Sequence, residues 1–343
     1  MKIIDLKKEF LFEEERDFDS AHAATILQLK NGDVLIAWFG GSWEKDSNVA
    51  IWTSRKSGSS SWTKPKKVAE TRGIALWNPV LFELDADTTI LFYKEGSTIP
   101  VWRTLYKLSK DNGETWSESK ELVEGDMIGG RGPVKNKPIR LKNGNIVAPA
   151  SLEGETWDAC IDISEDNGKT WTMSSLVPIR RVGYNPQVLD RPYNPSYCFG
   201  KGIIQPTLWE DSEEHLHMLA RSTSSAIFKS DSTDGGKTWC TAYATSLPNN
   251  NSGIDVVKLP NGTLVLAYNA VGNLPNYYKG PRTPLKLAYS EDNGDTWKEL
   301  CVLEAGRGAF AYPSIICNEN NEILVTYSWN RERVVFCRLK YEI

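Results

Sequence analysis

Apolar and polar residues alternate along most of this chain, in short runs separated by turn residues. The clearest turns are Asn-Gly pairs between β-branched and aromatic runs, at Asn31-Gly32, Asn143-Gly144 and Asn261-Gly262. Alternation over four to eight residues predicts half-buried strands, and an Asn-Gly pair between two such runs predicts a tight hairpin. The pattern therefore predicts an all-β fold of many short antiparallel strands.

One eight-residue pattern, Ser-x-Asp-(Asn/Gly)-Gly-x-Thr-Trp, occurs four times, starting at Ser109, Ser164, Ser232 and Ser290. Its Asp can accept hydrogen bonds from amides of its own turn, and its Gly allows a positive φ. A degenerate fifth copy, Ser54–Trp62, keeps the Ser, Gly and Trp but lacks the Asp. The spacing of these copies is near that of propeller repeats and predicts one four-stranded blade per period.

Counting outward from the repeats gives six blades. Their first strands are predicted to start near His22, Trp77, Lys135, Gln205, Ser252 and Tyr312. The last blade has three strands, at about 312–317, 322–329 and 333–340. The segment Ile3–Phe12 is predicted to add the fourth strand from the other end of the chain, because a closed ring leaves no exposed sheet edge. We expect residues 1–343 to form a single six-bladed β-propeller domain.

Composition narrows the function classes. The 40 basic residues nearly balance the 44 acidic ones, with no basic block, so we expect no nucleic-acid partner. The apolar runs are too short to span a membrane. The N-terminal residues are charged throughout and contain no apolar signal-peptide core, which predicts a cytoplasmic protein. Six scattered cysteines and three histidines give no metal-binding spacing, so we predict reduced thiols, no metal and no organic cofactor.

The ends of the first and second strands converge on one face of a propeller, around its central channel. Two longer segments, Pro178–Gly202 and Val271–Pro281, are expected to contribute binding loops. The candidate residues at the strand ends are His22, Trp77, Asn78, Lys94, Lys137, Glu153, Gln205, Arg221, Asn269, Tyr312 and Arg331. Aromatic planes among cations and amides are typical of a sugar-binding surface, and the excess of cations favours an acidic sugar. Ordinary polar strand ends that face solvent are the alternative.

The four repeats are Asp-boxes. Together with the six-blade count and the positions of the candidate residues, they make essentially the whole chain resemble the sialidases and the wider group of sialidase-like Asp-box glycosidases. The resemblance implies that Asp46 is the acid/base residue, with Glu44 as the fallback, and that Tyr312 is the nucleophile. It also implies that Arg221 and Arg282 bind a substrate carboxylate, with Lys137 or Lys94 assisting.

Two positions depart from the sialidase pattern. The Arg-Ile-Pro that opens the first blade is replaced by His22-Ala23-Ala24, and the Glu of blade four is replaced by Gln205. A phenol has an ordinary pKa of about 10, so a tyrosine nucleophile needs a base, which Gln205 cannot be. We hypothesise that His22 activates Tyr312 and that Gln205 orients one of them. His22 as a hydrogen-bond donor to substrate is the alternative, and Glu153 is either a hydroxyl-binding residue or a second base.

These features predict a sialidase-like, exo-acting glycoside hydrolase. It would remove an acidic sugar, sialic acid or a uronic acid, from oligosaccharides by a retaining mechanism with a tyrosine nucleophile. Two alternatives stay open. One is a uronate-directed lyase that uses His22 and Tyr312, and the other is a non-catalytic carbohydrate-binding propeller.

Overall fold

The computed structural model describes residues 1–13, 16–126, 128–182, 196–275 and 277–343. In these residues six four-stranded antiparallel sheets follow one another along the chain, which confirms the predicted all-β, six-bladed propeller. The one helical element of the described part is a single 3₁₀ turn, Ile99–Val101. No helix in the described ranges is long and apolar enough to cross a bilayer.

Within each blade the strands are named in order from the central channel to the outer edge. Blade 1 consists of β2 (Ser20–Gln28), β3 (Val34–Gly41), β4 (Ala50–Lys56) and β5 (Lys66–Ala69). Blade 2 consists of β6 (Leu76–Asp85), β7 (Thr88–Glu95), β8 (Arg103–Ser109) and β9 (Lys120–Glu121). Blade 3 consists of β10 (Ile139–Arg140), β11 (Ile146–Glu153), β12 (Trp157–Ser164) and β13 (Thr172–Met173).

The second half of the ring repeats this order. Blade 4 consists of β16 (Ile203–Glu210), β17 (Leu216–Ser222), β18 (Ala226–Ser232) and β19 (Tyr243–Pro248). Blade 5 consists of β20 (Asp255–Lys258), β21 (Leu264–Asn269), β22 (Leu285–Ser290) and β23 (Lys298–Glu304). Blade 6 consists of β24 (Phe310–Cys317), β25 (Ile323–Trp329), β26 (Arg333–Glu342) and β1 (Lys2–Phe10).

Between blades 3 and 4 lies a short parallel pair, β14 (Arg181–Val182) and β15 (Cys198–Phe199). It belongs to the predicted insertion 178–202, of which residues 183–195 lie outside the described residues. Asn276 of the second insertion does so too. The first strand of blade 3 begins at Ile139 rather than near Lys135, directly after Pro138, which has no N–H to give to a ladder.

The ring closes as predicted. Strand β1 pairs antiparallel with β26, from Lys2 opposite Glu342 to Phe10 opposite Val335. The strand ends two residues before the predicted limit, because Leu11 and Phe12 turn into the core between blades 6 and 1. The N-terminal segment thus covers the edge that β26 would otherwise expose.

The hydrophobic cores of the described residues lie between blades rather than within them. One cluster joins blades 1 and 2, and others join blades 2 and 3, 3 and 4, 4 and 5, 5 and 6, and 6 and 1. Each sheet therefore buries both faces, which is why all eight residues of Val34–Gly41 are buried. Face-to-face packing around the ring holds the six inner strands at fixed positions around the channel.

The four Asp-boxes fold into the same turn between the third and fourth strands of blades 2 to 5. In the first copy Ser109 Oγ donates to Asp111 Oδ1 (2.8 Å), and Asp111 Oδ1 also accepts from Thr115 N (2.9 Å). The amide of Gly113, at a φ of 77°, donates to Ser109 Oγ (2.9 Å). An added Cβ on Gly113 would lie 2.8 Å from Leu35 of blade 1. Each box therefore closes a hairpin and packs against the preceding blade.

Candidate active site

Four first strands carry the same irregularity at their channel end. Pairing with the second strand is interrupted between His22 and Thr25, Trp77 and Val80, Ile204 and Thr207, and Ala311 and Ser314. Within these bulges a residue adopts a left-handed backbone, with φ of 52° at Ala23, 40° at Asn78, 53° at Gln205 and 57° at Tyr312. A bulge re-aims a side chain, and non-glycine residues hold positive φ only where the surroundings enforce it.

A cavity of about 640 Å³ opens at this end of the channel. That volume is typical of small-molecule sites. Nine of the residues predicted from the sequence line it: Glu44, Trp77, Asn78, Glu153, Gln205, Arg221, Arg282, Tyr312 and Arg331. Both predicted insertions contribute as well, with Gly200 and Lys201 from the first and Tyr277, Tyr278 and Lys279 from the second.

A hydrogen-bonded chain runs from the half-buried Tyr312 to Glu153. Arg221 Nη1 donates to the Tyr312 hydroxyl oxygen (2.8 Å) and to Gln205 Oε1 (3.0 Å). Gln205 Nε2 in turn donates to Glu153 Oε1 (3.2 Å). The amide of Gln205 therefore lies between a cation and a carboxylate, accepting from one and donating to the other.

Arg221 has no N–H left for a ligand. Besides the two bonds from Nη1, its Nε donates to Asn251 Oδ1 (3.1 Å), and its Nη2 donates to the Asn251 carbonyl (2.6 Å) and to Oδ1 (3.0 Å). A guanidinium has five donors, and all five are used inside the protein. Its geometry makes Arg221 a support for Tyr312 and Gln205.

Arg282 presents the opposite case. Its guanidinium lies 5.4 Å from the centre of the Tyr312 ring, and its buried Nη1 has no hydrogen-bond partner among the described residues. Burial, together with the nearby Arg331 and Arg221, lowers the pKa of Arg282 to about 10, so it remains charged at neutral pH. An unpaired buried cation is costly, and an anion in the cavity would relieve that cost.

Two carboxylates reach the cavity, and their surroundings differ. Glu44 is paired with Arg331 Nη1. Glu153 accepts hydrogen bonds from Ser151 Oγ (3.1 Å) and Gln205 but has no ion pair with the described residues. Burial raises the pKa of Glu153 above its usual range, and the nearby charge of Arg221 opposes that effect only in part.

His22 lies beside Tyr312 but does not line the cavity. The two ring centres are 4.3 Å apart with the planes tilted by 46°, which is a stacking contact rather than a hydrogen bond. Its Nδ1 is 2.8 Å from Ser328 Oγ, and its buried Nε2 has no partner among the described residues. Burial and the positive charges of Arg331 and Arg282 lower the pKa of His22 well below its ordinary value, so the ring is neutral at pH 7.

The structure does not bring Asp46 into the cavity. Its side chain is exposed, and its backbone closes two successive turns with Trp43 and Val49. The ion pair of Glu44 with Arg331 fixes this loop at its start. As a result Glu44, the fallback residue, faces the cavity and Asp46 faces solvent.

Three further residues predicted from the sequence bond to other parts of the propeller and do not reach the cavity. Lys94 is buried and donates to Thr104 Oγ1 and to the carbonyl of Arg131. Lys137 is paired with Asp255 (2.9 Å) inside the channel. Asn269 Nδ2 donates to the carbonyls of Pro284 and Phe310. Both lysines and the Asn269 amide nitrogen are thus bonded within the protein, although Asn269 Oδ1 has no partner among the described residues, and none of the three side chains lines the cavity.

Arg331, predicted at the end of the second strand of blade 6, also lines the cavity. Several other cavity residues were not predicted from the sequence, of which Trp102 and Trp157 are the most prominent. They stand at or next to the starts of third strands, whereas the prediction used only the ends of first and second strands. The described residues contain no group of three His, Cys, Asp or Glu side chains that could hold a metal ion.

The sequence matches the BNR repeat-like domain family over residues 32–325, which is most of the chain. The protein belongs to this family. The predicted likeness to sialidases is also supported by a curated relative, a sialidase of Paraclostridium sordellii, which is 28% identical over 102 residues. That match covers 24% of this BNR protein and 24% of the relative, so it extends over about a quarter of the relative's length.

Solved structures share the propeller. A protein of unknown function from Dyadobacter fermentans superposes with a TM-score of 0.76 at 16% identity, covering 99% of this chain and 100% of its own. The Hadza microbial sialidase Hz136 has a TM-score of 0.78 at 14% identity and covers 97% and 68%. A Trypanosoma rangeli sialidase in complex with the inhibitor DANA has 0.73 at 14%, covering 97% and 59%. At these identities the likeness establishes the fold of the BNR protein.

Proposed function

We propose that this BNR protein is an exo-acting glycoside hydrolase that removes an acidic sugar, sialic acid or a uronic acid, with retention of configuration. The observation that carries the proposal is the position of Tyr312. Tyr312 lies on a left-handed bulge and its hydroxyl accepts a hydrogen bond from Arg221, inside a cavity also lined by Arg282, whose Nη1 has no partner among the described residues.

Each part of this arrangement suits the chemistry. A substrate carboxylate would pair with Arg282, whose Nη1 lacks a partner. A neutral phenol beside that carboxylate is not repelled by it as an Asp or Glu would be, and a tyrosine nucleophile is a known exception among glycosidases. The N–H of Arg221 that points at the phenol oxygen stabilises the negative charge that this oxygen carries when the phenol loses its proton before attack and when it leaves the sugar again.

The second candidate function is a carbohydrate-binding propeller without catalysis. It is favoured by the position of Asp46 outside the cavity and by the three tryptophans that line it, Trp77, Trp102 and Trp157. The lyase alternative receives less support, because His22 does not line the cavity and would have to reach a substrate proton from behind Tyr312.

One experiment separates these functions. The protein is incubated with sialylated and uronylated oligosaccharides and with the Tyr312→Phe variant as control. Proton NMR would detect a released free sugar and the configuration of its first-formed anomer. Ultraviolet absorbance would detect the double bond of an elimination product. We expect a retained anomer that depends on Tyr312. Binding without product would overturn the hydrolase proposal, and so would full activity of Tyr312→Phe.

A further inference from the structure

A second cavity, of about 280 Å³, opens beside the first. Five residues line both: Lys45, Ile99, Glu153, Trp157 and Lys201. The second cavity adds Ser97, Thr98, Pro100 and Gly154, and contains neither Tyr312 nor Arg282. The two cavities therefore adjoin along a shared wall that includes Glu153, and Tyr312 and Arg282 lie on one side of this junction.

The division into two compartments matches the two halves of an exo-glycosidase substrate. If Arg282 holds the acidic sugar beside Tyr312 in the first cavity, the bond to be cleaved must point out of that cavity, toward the rest of the substrate. The junction is where its glycosidic oxygen would lie. That oxygen needs a proton as the bond breaks, unless the leaving group is already a stable anion.

Three carboxyl groups compete for that role, and their surroundings rank them. Asp46 is exposed and lines neither cavity. Glu44 lines the first cavity but is paired with Arg331, which holds it as a carboxylate acceptor. Glu153 lines both cavities and has no ion pair among the described residues.

The hydrogen bonds of Glu153 also leave one oxygen for the proton. Ser151 Oγ and Gln205 Nε2 both donate to Oε1, at 3.1 and 3.2 Å, while Oε2 receives no bond from the described residues. Gln205 can support Glu153 in this way because it is an amide. A glutamate at position 205 would instead place a second carboxyl group at this distance. The exchange of Glu for Gln in blade four thus fits a site whose acid lies in blade three.

We propose that the second cavity is the subsite for the leaving sugar, and that Glu153 donates a proton to the glycosidic oxygen at the junction. This inference rests on the proposed hydrolase function. The Tyr312 hydroxyl gives its proton to water in the cavity as its oxygen bonds to the anomeric carbon. At the same time the carbon–oxygen bond to the leaving sugar breaks, and that oxygen takes the Glu153 proton. A second water then attacks the same carbon and gives a proton to the Glu153 carboxylate, while the bond from that carbon to the Tyr312 oxygen breaks. The Tyr312 phenolate released in this way takes a proton back from water.

The test is the dependence on the leaving group. Glu153→Gln, Glu44→Gln and wild type are compared on an acidic-sugar oligosaccharide and on the 4-nitrophenyl glycoside of the same sugar, whose phenolate leaves without a proton. We expect Glu153→Gln to lose about 10²- to 10⁴-fold in kcat/KM on the oligosaccharide and less than about tenfold on the aryl glycoside. Glu44→Gln should affect both substrates equally.

A pH profile supplies a second readout. The charged groups around Glu153 are Arg221 and Lys94, with Lys45 and Lys201 on the cavity walls. Oligosaccharide turnover by wild type should fall as the pH rises and Glu153 loses its proton, whereas turnover of the aryl glycoside, which needs no proton from Glu153, should lack this decrease. Equal losses on both substrates, or the selective loss in Glu44→Gln instead, would overturn the assignment while the hydrolase proposal stands. A wild type inactive on both substrates would overturn both.

The subsite is tested separately at the exposed Thr98, which lines the second cavity alone. Thr98→Trp should raise KM for the oligosaccharide at least about tenfold and leave the inhibition constant of the free acidic sugar unchanged, since that product occupies the first cavity. An unchanged KM, or an equal change in both constants, would contradict the placement of the leaving sugar.

Discussion

The Asp-box turns at the outer edge and the strand starts at the channel are both periodic, yet they differ in every other respect. The boxes repeat one sequence, and in all four copies the same Ser, Asp and Thr make the same bonds. The strand starts repeat one backbone bulge, but the side chains differ from blade to blade.

The difference separates architecture from chemistry. A turn that must fit against the preceding blade can use the same residues each time, since the fit is the same in every blade. A binding cavity needs different groups from each direction, so its residues share a position and not a sequence. The Ser, Asp and Thr side chains of the boxes bond to one another within each turn, whereas Arg282 Nη1 and His22 Nε2 at the channel have no partner among the described residues. Unpartnered indole N–H groups also occur in the boxes, at Trp116 and Trp239, so it is the charge of Arg282 beside the cavity that points to a ligand.

The largest effect expected from this contrast is at Tyr312. Removing its hydroxyl in Tyr312→Phe should lower kcat/KM by at least about 10³-fold, because it is the proposed nucleophile. The melting temperature should stay near that of wild type, since the ring contacts with His22 and Arg282 are retained. Steady-state kinetics and calorimetry on the same preparation check both parts. A variant that melts early and keeps its activity would reverse the contrast.

The next effect distinguishes the two arginines. Arg282→Gln should weaken binding of the acidic sugar about 10- to 100-fold without lowering the melting temperature, because it removes a buried cation whose Nη1 has no partner among the described residues. Arg221→Gln should lower the melting temperature by several degrees, because acceptors on Asn251, Gln205 and Tyr312 lose their donor. Titration calorimetry and thermal melts measure the two outcomes. Equal changes in binding and in melting temperature for the two variants would show that the different hydrogen bonding of the two arginines does not affect stability or binding.

A smaller effect is expected from the buried His22. Its folded-state pKa lies well below 6.5, so below about pH 6.5 the unfolded chain binds a proton that the folded chain does not. Stability due to this residue is therefore present above pH 6.5 and lost as the pH falls toward the folded-state pKa. Between pH 7.5 and pH 5 the melting temperature of wild type should fall by about 2–3 °C more than that of His22→Asn. Parallel curves would mean that His22 is protonated in the folded protein.

The smallest effect is expected at an Asp-box. The pKa of Asp292 is lowered to about 2, chiefly because its carboxylate accepts a hydrogen bond from the Thr296 side chain. Asp292→Ala should lower the melting temperature by only about 1–2 °C, because the turn is exposed, and should leave kcat/KM unchanged. Any clear loss of activity in this variant would connect the outer edge to the site and break the contrast.

The sequence predicted the framework closely and the site in part. The blade count and the pairing of β1 with β26 followed from the spacing of Ser109, Ser164, Ser232 and Ser290. The expectation that the ends of first and second strands meet around the channel located Gln205, Arg221 and Tyr312, because equivalent positions of similar blades converge there. The same expectation nominated Lys94 and Lys137, whose partners Thr104 and Asp255 could not be read from spacing. Asp46 depended on the course of a loop, which the ion pair of Glu44 and Arg331 decides.

By itself, the sequence determined which residues stand at the channel ends of the strands, since blade register follows from local patterns of turns and alternation. Only the tertiary structure decided which of those groups are available to a ligand. Arg221 and Arg282 are the same residue type at the same cavity, yet Arg221 makes five hydrogen bonds within the protein, whereas Arg282 Nη1 has no partner among the described residues. Hydrogen-bond satisfaction depends on residues from distant blades, so it exists only once the ring has closed.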